Sequence, residues 1–95
     1  MSLHEGSFHG GDGLFINKSP DGRNNLCGQQ IAVFRKKMGL SQRALAERLQ
    51  VAGLDIDKNA IQRIESGKRF VTDIELVSFC EVLEKDFTNL ISGQI

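Results

Sequence analysis

Residues 41–69 constrain the fold of this 95-residue chain more than any other stretch. Apolar residues recur there at helical spacing in two short segments. Each segment begins with a side chain that commonly caps helices, Ser41 in the first and Asp57 in the second. The outward positions of the second segment are polar and partly cationic, whereas Ile61 and Ile64 point inward. The pattern predicts two short, capped, amphipathic helices joined by a turn.

Charge is divided along a chain whose formal net charge is zero. The whole sequence contains 12 Lys or Arg and 12 Asp or Glu. Residues 31–69 hold nine of the basic and four of the acidic residues, whereas residues 70–95 hold one basic and five acidic residues. A domain with this distribution can present a basic face to phosphate although its net charge is zero.

The bulk properties exclude several classes of protein. The length allows one domain with one modest core. No apolar run approaches the ~20 residues of a membrane-spanning helix. The first residues lack the basic and apolar regions of a secretory signal. We therefore expect a cytoplasmic, single-domain protein with no membrane partner.

No chemical site is visible in the sequence. Cys27 and Cys80 are far apart and form no CxxC pair, which predicts two reduced thiols, at least one in the core, and no metal site. His4 and His9 stand in a glycine-rich start and are expected to be solvated. No Ser/His/Asp set, phosphate-binding glycine loop or cofactor motif is present. We predict that the protein is not an enzyme and binds no cofactor or small-molecule substrate.

The first 24 residues differ in composition from the rest. They contain five glycines between positions 6 and 22 and the turn sequence SPDG at positions 19–22. We predict a flexible N-terminal arm over residues 1–24 and a folded domain over residues 25–95. The apolar run 14–16 either docks on the domain, forms a short extended edge or belongs to an untethered arm.

Apolar periodicity and caps predict an all-α, compact bundle of about five helices and no strand in the compact part. The expected helices cover about residues 25–38, 41–50, 57–66, 72 or 73–84, and a short last stretch ending near 91. At the start of the fourth helix, Thr72 with Glu75 three residues later forms a capping-box pattern. The residues expected to face inward are Leu26, Ile31, Phe34, Met38, Leu45, Ala46, Leu49, Ile61, Ile64, Leu76, Phe79, Cys80 and Leu83. In the connection before the third helix, Gly53 permits a turn that Leu54 and Ile56 seal against the core.

Two segments resemble a known family. Residues 39–49 read GLSQRALAERL and residues 59–69 read NAIQRIESGKR. Together they closely resemble the Cro/C1-type (XRE-like) helix-turn-helix family of phage repressors and bacterial regulators, over about residues 26–91. The resemblance implies a lambda-repressor-like bundle in which helices two and three form the DNA-binding motif. This chain departs from the family pattern by about five extra residues between those helices.

The resemblance also implies a site on double-stranded DNA, with a major-groove recognition helix at about residues 57–66. The base-reading positions fall on Lys58, Asn59, Gln62 and Arg63. The phosphate-contacting positions fall on Gln42, Arg43, Lys68 and Arg69, with Gln42 exposed and its amide free to donate. Glu65 matches a structural glutamate of the family. Arg35, Lys36 and Lys37 crowd the end of helix one, where cations favour the helix dipole and can also touch phosphate.

We therefore expect a sequence-specific DNA-binding transcriptional regulator, a repressor acting as a homodimer. The apolar residues near the C-terminus form the candidate dimer interface or close the core of the bundle, and they are Phe87, Leu90, Ile91 and Ile95. The alternative is a protein-interaction module with the same fold, antitoxin-like or anti-repressor, which the zero net charge and the longer connection favour.

Overall fold

The computed structural model describes residues 18–92, which form five helices and no strand. The helices are α1 (Gly28–Lys37), α2 (Gln42–Val51), α3 (Lys58–Glu65), α4 (Asp73–Leu83) and α5 (Phe87–Ser92). This architecture confirms the prediction of an all-α bundle of about five helices. The expectations for His4, His9, the apolar run 14–16 and Ile95 lie outside the described residues.

Side-chain caps start three of the helices where the sequence predicts them. The Ser41 hydroxyl and the Asp57 carboxylate each accept a hydrogen bond from the backbone N–H three residues later, at 3.0 and 2.8 Å. Thr72 and Glu75 form a capping box in which each side chain accepts a hydrogen bond from the other residue's N–H. One N–H group in the first turn of each of α2, α3 and α4 is therefore paired without tertiary help.

Helix α1 begins three residues later than predicted. The side-chain oxygen of Asn25 accepts a hydrogen bond from the N–H of Gly28 at 2.7 Å, and the helix starts there. Leu26 precedes the helix, so its side chain is 58% exposed and does not line the inner face. Met38 follows the last turn of the helix and is also exposed. The prediction that Leu26 and Met38 face the core is therefore wrong.

The core lies where α1, α2, α3 and α4 meet, and α5 closes it. Its largest fully buried side chains are Phe34, Phe79, Ile31, Leu45, Leu49, Ile61, Ile64, Leu83 and Leu90. Both cysteines are free thiols, as predicted, and Cys27 is buried. Burial raises the pKa of Cys27 to about 11, because the thiolate is poorly solvated there. Cys27 is therefore an unreactive core residue.

The long connection between α2 and α3 is anchored to the core. Helix α2 ends at Val51, and the chain turns at Gly53 with a φ of 101°. Leu54 is half-buried against the core and Ile56 is 4% exposed, as predicted. The side-chain amide of Gln50 donates to the carbonyl oxygen of Ile56 at 2.8 Å. The extra residues therefore form a fixed turn that leads into the cap of α3.

Part of the predicted arm packs on the bundle. Arg23 and Asn24 donate hydrogen bonds to backbone carbonyls at and after the end of α3. The boundary that the sequence analysis places after Asn24 therefore falls inside a segment that is bound to the folded domain.

Helix α4 ends in an unusual way. Helices α1, α2 and α3 are each followed by a glycine with positive φ, the usual residue for that position. In α4 the same position is occupied by Glu84, whose φ is 56°, and the next N–H, that of Lys85, donates to the carbonyl oxygen of Cys80 at 3.1 Å. A residue with a Cβ atom is strained in the left-handed region. A carboxylate at a helix C-terminus also opposes the helix dipole.

Replacing Glu84 with glycine is therefore expected to stabilise the protein. The substitution Glu84→Gly should raise the free energy of unfolding by about 0.5–1 kcal/mol, because it relieves the left-handed strain and removes an unfavourable charge. Urea denaturation followed by circular dichroism measures the difference. Glu81→Gly on the same helix is the matched control, and it should lower stability because its backbone is helical. Two changes of the same sign would contradict the prediction.

Candidate nucleic-acid interface

A buried carboxylate joins the first three helices. Glu65, at the end of α3, accepts hydrogen bonds from Arg35 of α1 at 2.7 Å (Nε to Oε2) and 2.9 Å (Nη2 to Oε1). The two side chains are 8% and 9% exposed. The hydrogen bonds to Glu65 raise the pKa of Arg35 above its usual value. Glu65 therefore makes the structural contacts that the family resemblance implies. Arg35, expected at the end of helix one to favour the dipole or touch phosphate, is instead buried in this pair.

Gln42 belongs to the same network. Its side-chain amide donates to Oε1 of Glu65 at 2.9 Å, and the residue is half-buried. The expectation of an exposed, free amide is therefore wrong, because the start of α2 lies beside the end of α3. An amide NH₂ group carries two donors, so this bond fixes its orientation and leaves the second donor for another acceptor.

The outer face of α3 carries the four predicted base-reading residues. All four are exposed, and they are Lys58, Asn59, Gln62 and Arg63. On the opposite side of the helix, Ile61 and Ile64 are fully buried. Because residues three and four apart share a helix face, the four polar side chains project together away from the core. The structure therefore brings these residues onto one accessible surface.

Two of the four predicted phosphate-contacting residues are exposed cations beside the α3 face. Arg43 is exposed and borders a polar cleft between α2 and α3 together with Lys58 and Asn59. Lys68 is exposed just after the turn that ends α3. Both cations therefore flank the α3 face at its two ends.

Arg69 is held in a bidentate ion pair. Its guanidinium contacts the Glu75 carboxylate at 2.9 Å (Nη2 to Oε2) and 3.0 Å (Nη1 to Oε1), and Nη1 also donates to the carbonyl oxygen of Phe70. This pairing is the main cause of a lowered pKa at Glu75. The sequence pattern predicts only the capping-box role of Glu75 and not its ion pair with Arg69. The available signal is an acid at the third position of a helix that follows a basic loop.

The sequence also does not reveal the contacts that Arg23, Asn24 and Asn25 make. Their side chains donate to backbone carbonyls between Ile64 and Arg69, at distances from 2.7 to 3.4 Å. No local pattern marks these contacts, because the bonded residues lie about forty positions apart. They attach the chain before α1 to the loop that carries Lys68.

The helix arrangement separates the basic face from the acidic end of the chain. Helix α3 packs mainly against α1 and α2, whereas α5 packs against α1 and α4. The exposed acids of the C-terminal part lie on or beside α4 and α5, and they are Asp73, Glu81, Glu84 and Asp86. Among residues 18–92, no helix has the length and apolar character needed to cross a membrane.

Comparison with known proteins places these features in context. A sequence model described as "Helix-turn-helix" matches residues 31–90. Among solved structures, the chain is similar to the clp gene regulator ClgR from C. glutamicum, with a TM-score of 0.62 and 22% identity over 72% of this chain and 81% of that chain. The likeness to that structure shows a shared fold. The comparison with curated proteins found no match.

The Arg69–Glu75 pair makes stability depend on pH. Because the native-state pKa of Glu75 is lowered, its ionised form stabilises the fold at pH values above its ordinary pKa near 4.5, and this contribution is lost as pH falls through the native-state pKa. The variant Glu75→Gln keeps the capping geometry and removes the charge. We expect it to be less stable than the wild type by about 0.5–1 kcal/mol at neutral pH, and the difference should shrink by about pH 3.

Urea denaturation at the two pH values measures this difference. Glu81→Gln is the matched control, since it removes an exposed carboxylate from the same helix. A difference between wild type and Glu75→Gln that stays constant with pH would refute the assignment.

Proposed function

The chain belongs to the Cro/C1-type helix-turn-helix family of DNA-binding transcription regulators, and we propose that it is a sequence-specific repressor that binds as a dimer. The observation that carries this proposal is the exposed polar face of α3, whose opposite side packs into the core through two fully buried isoleucines. An α-helix with such a face fits the major groove of B-form DNA. We place its action in the cytoplasm and assign it a binding role rather than a catalytic one.

Base recognition is assigned to the four exposed residues of α3. Lys58 and Arg63 suit the O6 and N7 acceptors of guanine, and Asn59 and Gln62 suit the N6 and N7 atoms of adenine. Each well-formed pair of this kind discriminates against a wrong base by about 1–3 kcal/mol. The two isoleucines beneath fix the helix, so these side chains reach the groove from a rigid support.

Phosphate contacts are assigned to the residues at the two ends of the motif. Arg43 and Lys68 are exposed cations there, and the second amide donor of Gln42 is oriented by Glu65. Arg69 contributes positive potential from the edge, since its side chain remains 32% exposed beside Glu75. Contacts of this kind supply affinity and register but no sequence information.

A dimer is proposed because one small reader buries too little surface for tight, specific binding. Two readers on half-sites about one helical turn apart solve this problem. The short helix α5 serves both roles that its sequence left open. Leu90 is fully buried and closes the core, whereas Phe87 is 57% exposed and is available to a second copy. We therefore assign the dimer contact to the face of α5 that carries Phe87.

Repression is the proposed outcome of binding. A dimer seated on a promoter excludes RNA polymerase by occupying the same DNA, and it needs no further contact surface to do so. The four exposed residues of α3 that face the bases, together with the cations that flank them, are sufficient to hold the protein on the promoter.

Binding-site selection from random DNA tests the proposal. The wild type should select a defined sequence, and Arg63→Ala should lose discrimination at one position of each half-site by about 5- to 150-fold. Arg43→Ala should bind all sequences more weakly and reduce the slope of log K against log salt concentration by about one per bound protomer. These two effects separate base readout from phosphate contact.

Arg48→Ala is the matched control for Arg43→Ala. Both residues are exposed arginines of α2, but Arg48 borders a different groove, formed with Leu40, Ala44 and Val51. Its loss should leave the salt dependence unchanged. A wild-type protein that selects no sequence would sink the proposal and favour the protein-interaction module.

The dimer contact is tested by replacing Phe87. Phe87→Ser should raise the dissociation constant of the dimer by at least about tenfold, because it removes a large apolar contact. Leu26→Ser is the matched control, because Leu26 is apolar and equally exposed, at 58%, but lies before α1. Sedimentation equilibrium measures both. Equal effects of the two substitutions, or a monomeric wild type, would rule out this interface.

A further inference from the structure

We propose that Arg23, Asn24 and Asn25 are positioning residues for DNA binding, which hold the loop of residues 66–69 in its binding conformation before DNA arrives. The inference rests on the proposed function, because it concerns the loop that carries Lys68. We call residues 23–25 the clamp and residues 66–69 the basic loop. The clamp touches the backbone of the basic loop and of the end of α3, and it leaves the Lys68 side chain exposed.

Arg23 caps the C-terminus of α3. Its Nη2 atom donates to the carbonyl oxygens of Glu65 at 2.7 Å and Ile64 at 3.4 Å. The last carbonyls of a helix have no partner within the helix, and a cation there is also favoured by the helix dipole. The guanidinium lies against Gly67, where an added Cβ atom would come within 2.8 Å of its central carbon. Gly67 is therefore favoured by its φ of 83°, and a side chain at this position would also have to displace the Arg23 guanidinium.

Asn24 fixes both peptide groups that flank Lys68. Its backbone N–H donates to the carbonyl oxygen of Gly67 at 2.8 Å, and its side-chain amide donates to that of Lys68 at 3.1 Å. The side-chain oxygen of Asn24 in turn accepts a hydrogen bond from Lys18 at 2.9 Å. The direction in which the Lys68 side chain leaves the backbone is therefore set by Asn24.

Asn25 joins the last turn of α3 to the end of the basic loop. Its side-chain amide donates to the carbonyl oxygen of Ile64 at 2.9 Å and to that of Arg69 at 2.8 Å. Its oxygen accepts from the N–H of Gly28, the first residue of α1. At Gly28 an added Cβ atom would lie 2.1 Å from the Ile64 carbonyl oxygen, so α1 and α3 approach too closely for any other residue. The clamp is therefore built into a close helix contact.

The clamp matters for binding because an unordered loop loses conformational freedom when it meets DNA. A loop that is already ordered avoids that loss, and its cation needs only to meet the phosphate. The basic loop is tied to α3 by a bond from the N–H of Lys68 to the carbonyl oxygen of Arg63 at 2.9 Å. The clamp adds the bonds on the carbonyl side. Both sides of the loop backbone are then held.

The test uses Asn24→Ala in the full chain, because this change removes the side-chain bond to the Lys68 carbonyl, together with the bond accepted from Lys18, and keeps the backbone bond. On the DNA that the wild type selects, Asn24→Ala should weaken binding about two- to tenfold, the range that one hydrogen bond contributes. Its effect and that of Lys68→Ala should be less than additive in a double-mutant cycle. The cycle with Arg43→Ala is the matched control and should be additive, because Arg43 belongs to α2 and lies outside the clamp.

A second readout does not depend on DNA. Amide hydrogen exchange at Lys68 and Arg69 should be faster in Asn24→Ala, whereas exchange in the core of α2 should be unchanged at equal folded fraction. Unchanged affinity or additive behaviour with Lys68→Ala overturns the inference while leaving the proposed function in place. A wild type that binds no DNA overturns the proposed function and the inference with it. If hydrogen exchange at Lys68 and Arg69 is the same in Asn24→Ala as in the wild type, the inference about the clamp is overturned and the proposed function is not.

Discussion

The DNA-binding half of the molecule depends on the buried carboxylate of Glu65. A charge with 8% exposure is strongly destabilising unless its lone pairs are satisfied, and here Arg35 and Gln42 satisfy them from α1 and α2. Because a bidentate arginine pair tolerates little change in distance or angle, the end of α3 has one position against the other two helices. The buried isoleucines supply the stability of α3, and the Glu65 network supplies its register.

The same pairing explains how a chain of zero net charge offers a basic surface. Glu65 is paired with Arg35, Asp57 caps α3, and Glu75 is paired with Arg69, so these three acids are held by internal bonds. The four exposed cations around α3, which are Arg43, Lys58, Arg63 and Lys68, outnumber the two exposed acids of the adjoining cleft, Glu47 and Asp57.

The sequence predicts what is local and misses what is distant. The caps at Ser41, Asp57 and Thr72 and the buried positions of α2 and α3 follow from three- and four-residue spacings, and all are present. The start of α1 is misplaced because Leu26 matches the apolar period, whereas the helix begins only at Gly28, whose N–H donates to the Asn25 side chain. The partners of Arg35 and Gln42 lie 30 and 23 positions away, and those of Arg23 about forty, so no periodicity marks them.

Helix α3 is held separately at its two ends. Its first turn follows the anchored connection in which Gln50 binds the Ile56 carbonyl, and its last turn is bound by Glu65 and the clamp. Lys58 and Asn59 therefore depend on the connection, whereas Arg63 and Lys68 depend on the network at the far end. A substitution in one of these two sets of contacts is therefore expected to displace the residues at its own end of α3 more than those at the other end.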